Sequence, residues 1–141
     1  MQDTPTPGWQ PIERLPLIAE MIDGYLADAQ EQEQTLRKAR QRPHVFDDAP
    51  VDRIARVYGE ALDMANLFEQ QLRRWRNSGL TVDQEQAVAR LEGQVLCLRQ
   101  RLTAILALAA EIRQGTIDRV MEKSDLELGL EVLLGIRPPP Q

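Results

Sequence analysis

The chain has 141 residues, 43% of them apolar and only 4% aromatic, which is enough for one domain with a largely aliphatic core. Its net charge of −5 argues against sequence-independent nucleic-acid binding, and its single cysteine excludes an intramolecular disulfide and a CxxC metal site. The longest apolar run, residues 104–110, is far shorter than the ~20 residues of a membrane-spanning helix, so we expect a cytoplasmic protein with no membrane partner.

Residues 1–11 are rich in proline, so we expect a flexible arm before the first helix. Residues 136–141 contain three consecutive prolines and predict a tail, which leaves residues 12–135 as the helical domain. Fifteen of the 17 basic residues are arginine, which we interpret as the sign of a GC-rich bacterial genome.

The first helix is expected to begin between residues 12 and 16. It should end near Gln41, because Pro43 disfavours helix in the residue before it. Its apolar stripe advances in steps of three and four residues, the spacing that keeps one seam of a helix facing a partner helix. This stripe reads Leu15, Ile18, Ile22, Tyr25, Ala29, Gln32, Leu36 and Ala39.

The second helix is predicted to start at Asp47 or Asp48, either of which can cap it, with Pro50 in its first turn. It should run to about Asn77, because the glycine of the pair 78–79 favours a helix stop. Its stripe reads Ile54, Val57, Ala61, Met64, Phe68, Gln71 and Trp75.

The third helix opens with Thr81 and Gln84, the two ends of a capping box, and is predicted to end at Gly115. Three such helices joined by short loops predict an all-α antiparallel bundle with coiled-coil seams. The stripe of helix 3 reads Val88, Leu91, Val95, Leu98, Leu102, Ile105, Ala109 and Ile112.

After Gly115, residues 116–135 are predicted to form a short C-terminal helical segment. Ser124 and Glu127 have the spacing of a second capping box, and Gly135 is a candidate stop. Residues 126–134 also alternate in the manner of a strand, so both readings stay open there. We favour helix, because a lone strand has no partner within this chain.

Helix 3 is apolar nearly all round from Leu102 to Ile112, whereas residues 30–34, near the end of helix 1 beside it, are polar. We therefore expect the C-terminal segment to cover this surface, by folding back within the chain or by crossing to a second subunit of a dimer. The candidates for partner binding or self-association are Leu106, Leu126, Leu130, Leu133 and Leu134.

Three glycines, Gly24, Gly59 and Gly93, interrupt helix interiors at outward positions, at about 1 kcal/mol each relative to alanine. They are compatible with sequence drift or with the close approach of another helix, from the C-terminal segment or from a partner.

Two ExxD pairs, Glu20/Asp23 and Glu60/Asp63, are candidates for a metal site. Their spacing is similar to that in all-α nucleoside triphosphate pyrophosphatases, which place such pairs on facing helices to hold magnesium. That chemistry needs the carboxylates to point inward, where oxygens from two helices converge. The heptads place all four at outward positions, so we interpret them as solvated acidic faces.

His44 is the only histidine and follows Pro43 in a loop, so no metal-binding ExxH pair can form on a helix. Cys97 has no evident base beside it and reads as a half-buried, inert thiol. The sequence therefore predicts no catalytic, cofactor-binding or metal-binding residues.

Two basic clusters, residues 37–42 and 73–76, lie in the last turns of helices 1 and 2, where cations complement the helix dipole. An antiparallel bundle separates them to opposite ends, so they form no continuous basic stripe, and we do not expect a nucleic-acid partner.

These observations predict a non-enzymatic helical interaction protein, such as a bacterial adaptor, assembly factor or regulatory subunit. It would act through helix surfaces on a protein partner or on a second copy as a homodimer, without a cofactor. Two alternatives remain open: an all-α, metal-dependent nucleotide pyrophosphatase-like enzyme, and a nucleic-acid-associated regulator.

Overall fold

The computed structural model describes residues 8–41 and 48–133, with the backbone alone for residues 48, 49 and 116–133. A short 3₁₀ turn, Ile12–Arg14, leads into α1 (Leu15–Gln41), which is followed by α2 (Asp48–Arg76) and α3 (Val82–Leu133). The described residues contain no strand, and the all-α bundle is confirmed. None of their helices is long and apolar enough to span a membrane. The predicted tail, residues 136–141, lies outside the described residues.

Capping residues and a glycine mark the start of α3 and the end of α2, as expected. The Thr81 amide donates to Gln84 Oε1 at 3.0 Å, and the Gln84 amide donates to Thr81 Oγ1 at 3.2 Å, which is the predicted capping box. After α2, Gly79 takes a positive φ of 76°, a conformation that costs glycine little and ends the helix.

The third helix is the element on which the other two pack. Both α1 and α2 contact α3 along their length, whereas they meet each other at only a few points. All eight residues of the predicted α3 stripe, from Val88 to Ile112, are buried. The chain runs up, down and up, so α1 is parallel to α3 and α2 is antiparallel to both.

The predicted stripes of α1 and α2 are correct at some positions and wrong by one residue at others. On α2, Tyr58 is buried where Val57 was expected, and Ala65 where Met64 was expected. On α1, Glu33 is buried where Gln32 was expected. From Ile54, the covered positions of α2 advance by four and then three residues, whereas the predicted stripe advances by three and then four. Met64 is therefore half-buried, on the side of α2 that faces α1.

The expectation that the C-terminal segment of the same chain folds back over Leu102 to Ile112 is wrong, because α1 and α2 together cover this part of α3. Leu102, Ile105 and Ile112 are buried within the described chain against the small and aliphatic residues of both neighbours. Alanines on the neighbouring seams let the helices approach closely, and the apolar α3 residues that stay exposed here, Ala107 and Ala110, are themselves small. The α1 and α2 residues of this cluster are Ala29, Leu36, Ala39, Val51, Tyr58, Ala61 and Ala65.

The predicted break at Gly115 is also wrong. α3 continues through it as one helix of 52 residues, about 78 Å long. Gly115 keeps a negative φ, because the only positive-φ glycines of the described chain are Gly8 and Gly79. Residues 126–133 are helical, as favoured, but they continue α3 and do not fold back. We call residues 116–133 the extension.

One hydrogen bond and three ion pairs between the helices fix their positions along the bundle axis. Asp23 on α1 accepts a hydrogen bond from Gln94 at 2.9 Å, and Arg40 pairs with Glu111 at 3.2 Å. On the other side, Arg99 pairs with Glu69 at 2.8 Å, and Arg113 pairs with Asp52 at the start of α2. The α1–α2 end of the bundle therefore lies level with residues 111–113 of α3, and the extension lies beyond it.

Glu33 is the only charged residue that is buried among residues 8–41 and 50–115. Its carboxylate accepts from Arg37 at 2.7 Å and from Arg101 of α3 at 3.1 Å, so a single acidic residue ties α1 to α3. The hydrogen bond from Arg37 lowers the pKa of Glu33, burial opposes this, and Arg101 adds to the lowering. Both arginines are more than one third exposed, so solvent screens these pairs.

We predict that the α3 seam determines stability. Leu98→Ala or Leu102→Ala should lower the free energy of unfolding by about 2–5 kcal/mol, because each leaves a cavity in a closed core. The matched control is Leu96→Ala, since Leu96 lies on the same helix and is 56% exposed. Urea denaturation measures the difference. A loss below about 0.5 kcal/mol at both seam positions would show that the seam is misassigned.

We predict that Glu33 makes stability depend on pH in the acid range. Since folding lowers the pKa of Glu33, its contribution is complete above the unfolded pKa of about 4.3 and is lost as the pH falls through the lower, folded value. Glu33→Gln should therefore cost about 1–2 kcal/mol at neutral pH, and less at acid pH. Glu20→Gln, at an exposed position of the same helix, is the control. A cost for Glu33→Gln that is independent of pH contradicts this account.

Candidate functional site

The five residues predicted for association do not form one cluster. Leu106 is partly buried against the core between the helices. Leu126, Leu130 and Leu133 lie on the extension, where the structure describes the backbone alone. Leu134 lies outside the described residues. Their role in association stays a prediction.

An apolar groove lies between α1 and α2, and we call it the α1–α2 groove. It has a volume of about 620 Å³ and is open along one long side. It exists because α1 and α2 both pack on α3 and hardly touch each other. Its floor is formed by Ile18 and Phe68, and its walls by Leu17, Met21, Met64 and Leu67.

The walls of this groove carry exposed apolar side chains. Leu17 is 45% exposed, Met21 37% and Leu67 40%, which makes them three of the six large apolar residues exposed in the described part of the chain. A single exposed leucine is ordinary, but three that line one concavity form a patch of the kind that marks an interaction site. The floor beneath them is firm, since Phe68 packs edge-on against Tyr25 with ring centroids 5.7 Å apart.

One end of the groove is closed by the segment that precedes the first turn. The backbone amide of Gln10 donates to Gln71 Oε1 at 2.7 Å. The backbone carbonyl of Gln10 accepts from Gln71 Nε2 at 3.2 Å and from Trp75 Nε1 at 2.8 Å. These three bonds satisfy the buried Gln71 amide and the buried indole. Beside them, the Arg74 guanidinium lies 4.3 Å from the centroid of the Trp9 ring, a cation–π contact.

The other end is closed by a hydrogen bond between α1 and α2. The Tyr58 hydroxyl donates to Asp28 Oδ2 at 2.7 Å. Burial and the Asp28 carboxylate raise the pKa of Tyr58, so the phenol stays a proton donor at physiological pH. Asp28 lies about 20 Å from Leu15 along α1, which sets the length of the open stretch at roughly that of a four-turn helix.

A second depression of about 320 Å³ continues the groove along α1, from Met21 past Gly24 to Asp28. A Cβ placed on Gly24 would meet no atom within 4 Å. Gly59 and Gly93 likewise meet nothing, so none of these three glycines is explained by close packing among the described residues. At Gly24 the missing side chain widens the groove.

The residues considered for metal chemistry do not converge. Glu20, Asp23, Glu60 and Asp63 are all exposed. Among the described residues, no group of three or more acidic, histidine or cysteine side chains is placed to hold a metal ion. His44 lies outside the described residues, and Cys97 is half-buried.

The basic clusters are largely engaged within the bundle. Arg37 and Arg40 pair with Glu33 and Glu111, and the second cluster is held in the same way. Its contacts are Arg73 to Glu69, Arg76 to Glu92, and Arg74 over Trp9. The arginines that could have met phosphates are therefore mostly committed to carboxylates.

No protein-family model matches the chain, and comparison with curated proteins and with solved structures found no similar protein. Helical periodicity gives no sign of the α1–α2 groove, although Met64 and Gln71, two residues of the predicted α2 stripe, line it.

We predict that Gln71 and Trp75 hold the segment before α1. Gln71→Ala should remove two hydrogen bonds to Gln10 and speed tryptic cleavage after Arg14, because the segment opens more often. The matched control is Gln70→Ala, since Gln70 is an exposed neighbour on the same helix. Equal cleavage rates in the wild type and Gln71→Ala would contradict the assignment.

Proposed function

We propose that this chain is a non-enzymatic, cytoplasmic interaction protein that binds an amphipathic helix of a partner in the α1–α2 groove. Binding of a partner helix in a groove suits an adaptor, an assembly factor or a regulatory subunit. The observation that carries the proposal is the clustering of exposed Leu17, Met21 and Leu67 along one concavity whose floor and ends are closed by internal contacts.

The shape of the groove favours a helix. α1 and α2 pack on α3 and leave the fourth position of a bundle vacant, directly across from α3. A helix of about 10 Å diameter placed there would contact both walls and complete a four-helix arrangement. Helix-in-groove recognition places apolar anchors at positions i, i+4 and i+7, and the open stretch is long enough for them.

The chemistry of the lining argues against a small polar ligand. Small-molecule sites place a few polar groups that converge on the ligand. Here the most buried polar group, the side-chain amide of Gln71, is already bonded to Gln10, and the four wall residues, Leu17, Met21, Met64 and Leu67, are aliphatic or thioether. Methionine walls adapt to the shape of an incoming apolar face, which is why they recur at helix-binding surfaces.

Charge at the rim selects the orientation of the helix. Arg14 lines the groove at its closed N-terminal end, and Arg74 lies beside it on the Trp9 ring. The C-terminal end of a helix carries partial negative charge, so it is stabilised next to cations. We therefore propose that the partner helix is acidic towards its C-terminus and that this end lies beside the two arginines.

Site-specific photo-crosslinking in cells tests the proposal. A photoreactive amino acid at position 67 should form an adduct that maps to an amphipathic helical segment of its partner. The same amino acid at position 96 should not, although Leu96 is more exposed than Leu67. Met21→Glu on the opposite wall should abolish the adduct at position 67. Equal labelling at positions 67 and 96, or an adduct that survives Met21→Glu, contradicts the proposal.

A further inference from the structure

We propose that the helix bound in the α1–α2 groove is the extension of a second copy of this chain, so that the protein is a reciprocal homodimer. This inference rests on the proposed function and names the partner. Each subunit would give residues 116–133 to the other, and each bundle would thereby gain its fourth helix.

The sequence register of α3 is the first argument. Leu98, Leu102 and Ile105 lie on the buried seam of α3. Four heptads later, the same heptad positions are occupied by Leu126, Leu130 and Leu133. These positions have the i, i+4 and i+7 spacing of helix-in-groove anchors. Between the end of the bundle at Ile112 and the first of these leucines, the seam positions are polar: Thr116, Arg119 and Lys123. The apolar seam therefore stops where the bundle ends and resumes beyond it.

The continuity of α3 is the second argument, because it excludes the chain's own groove. The extension leaves the bundle at the end marked by Arg40–Glu111 and Arg113–Asp52. The groove lies at the opposite end, where Asp23 is bonded to Gln94. An uninterrupted helix cannot turn back over its own bundle, so the extension can reach only the groove of another molecule.

Distances along the helix allow both subunits to donate at once. Leu130 lies 36 residues from Gln94, about 54 Å along α3, and the midpoint is residue 112. A two-fold axis perpendicular to α3 at residue 112 would bring each Leu130 level with the other chain's Gln94. Because residue 112 is also where the three-helix bundle ends, the two bundles would stack end to end. Each extension would lie antiparallel to the partner's α3, and the assembly would be closed.

Charge complementarity supports the same orientation. Residues 116–133 carry five acidic and two basic side chains, and residues 124–133 carry Asp125, Glu127 and Glu131 with no basic residue. In the antiparallel arrangement the C-terminal end of the extension, with Glu131 before it, is directed towards the end of the groove that holds Arg14 and Arg74. The helix dipole and the charge of Glu131 are then favourably placed.

A complementation experiment with the full chain tests the proposal. Mass is measured by light scattering across a dilution series for the wild type, Leu67→Glu, Leu130→Glu and an equimolar mixture of the two variants. The wild type should be a dimer. Each variant alone should dissociate at concentrations at least about 100-fold higher than the wild type, since a buried leucine is replaced by a charge. The mixture should regain association, because one intact extension meets one intact groove.

The controls separate folding from association. Leu96→Glu, at an exposed position outside the groove, should stay dimeric, and circular dichroism should show the same helicity for all variants. A dimer that survives Leu67→Glu but is lost in Leu130→Glu and is not restored in the mixture means that extensions pair with each other, and it overturns the inference. A wild-type monomer at all concentrations also overturns it, while a specific adduct of position 67 with another protein would leave the proposed function standing.

Discussion

Burial of the α3 seam is the interaction on which the rest of the structure depends. α1 and α2 contribute little to each other, so each is held by its own half of the α3 surface and by ion pairs that fix its height. Truncation of one seam leucine therefore loosens two interfaces at once. The same arrangement leaves the side of the bundle opposite α3 uncovered, and that is where the α1–α2 groove lies.

The groove is a gap that the three-helix bundle leaves, and the extension is length that the bundle does not require. A helix that serves as the central element of a three-helix bundle needs to be only as long as its neighbours, about 27–29 residues here, yet α3 has 52. The additional length carries leucines in the seam register and an acidic charge, while the vacant position of the bundle carries apolar walls and a basic rim. In the proposed dimer, the chemistry of each complements that of the other.

Much of this fold could be predicted from periodicity and capping. The α3 stripe was right at all eight positions, because a helix packed from two sides leaves a strict heptad pattern. On α2 the pattern could not choose between Val57 and Tyr58, and it missed Leu72, which is buried together with its neighbour Gln71. Tyr58 is buried with a hydrogen bond to Asp28, and Gln71 with bonds to Gln10; sequence spacing encodes neither contact.

Two failures had different physical causes. The low helix propensity of glycine predicts a helix end at Gly115. A glycine that ends a helix typically adopts a positive φ, and Gly115 does not. The groove could not be predicted, since it forms where two helices do not meet, and a pattern that reports burial on one seam says nothing about a gap between two others. The exposed Leu17, Met21 and Leu67, each one residue away from a seam position, are the signal that the sequence carries.

The central claim is that α3 is one uninterrupted helix that leaves the bundle. The most direct test is a spin-label distance between positions 100 and 127 in a Cys97→Ser background, with labelled chains diluted into unlabelled chains. A continuous helix places the two positions 27 residues apart, or about 40 Å, and we predict a narrow distribution at that distance. A helix broken at Gly115 and folded back would bring the labels within roughly 20 Å, about twice a helix diameter, and that result would contradict the account.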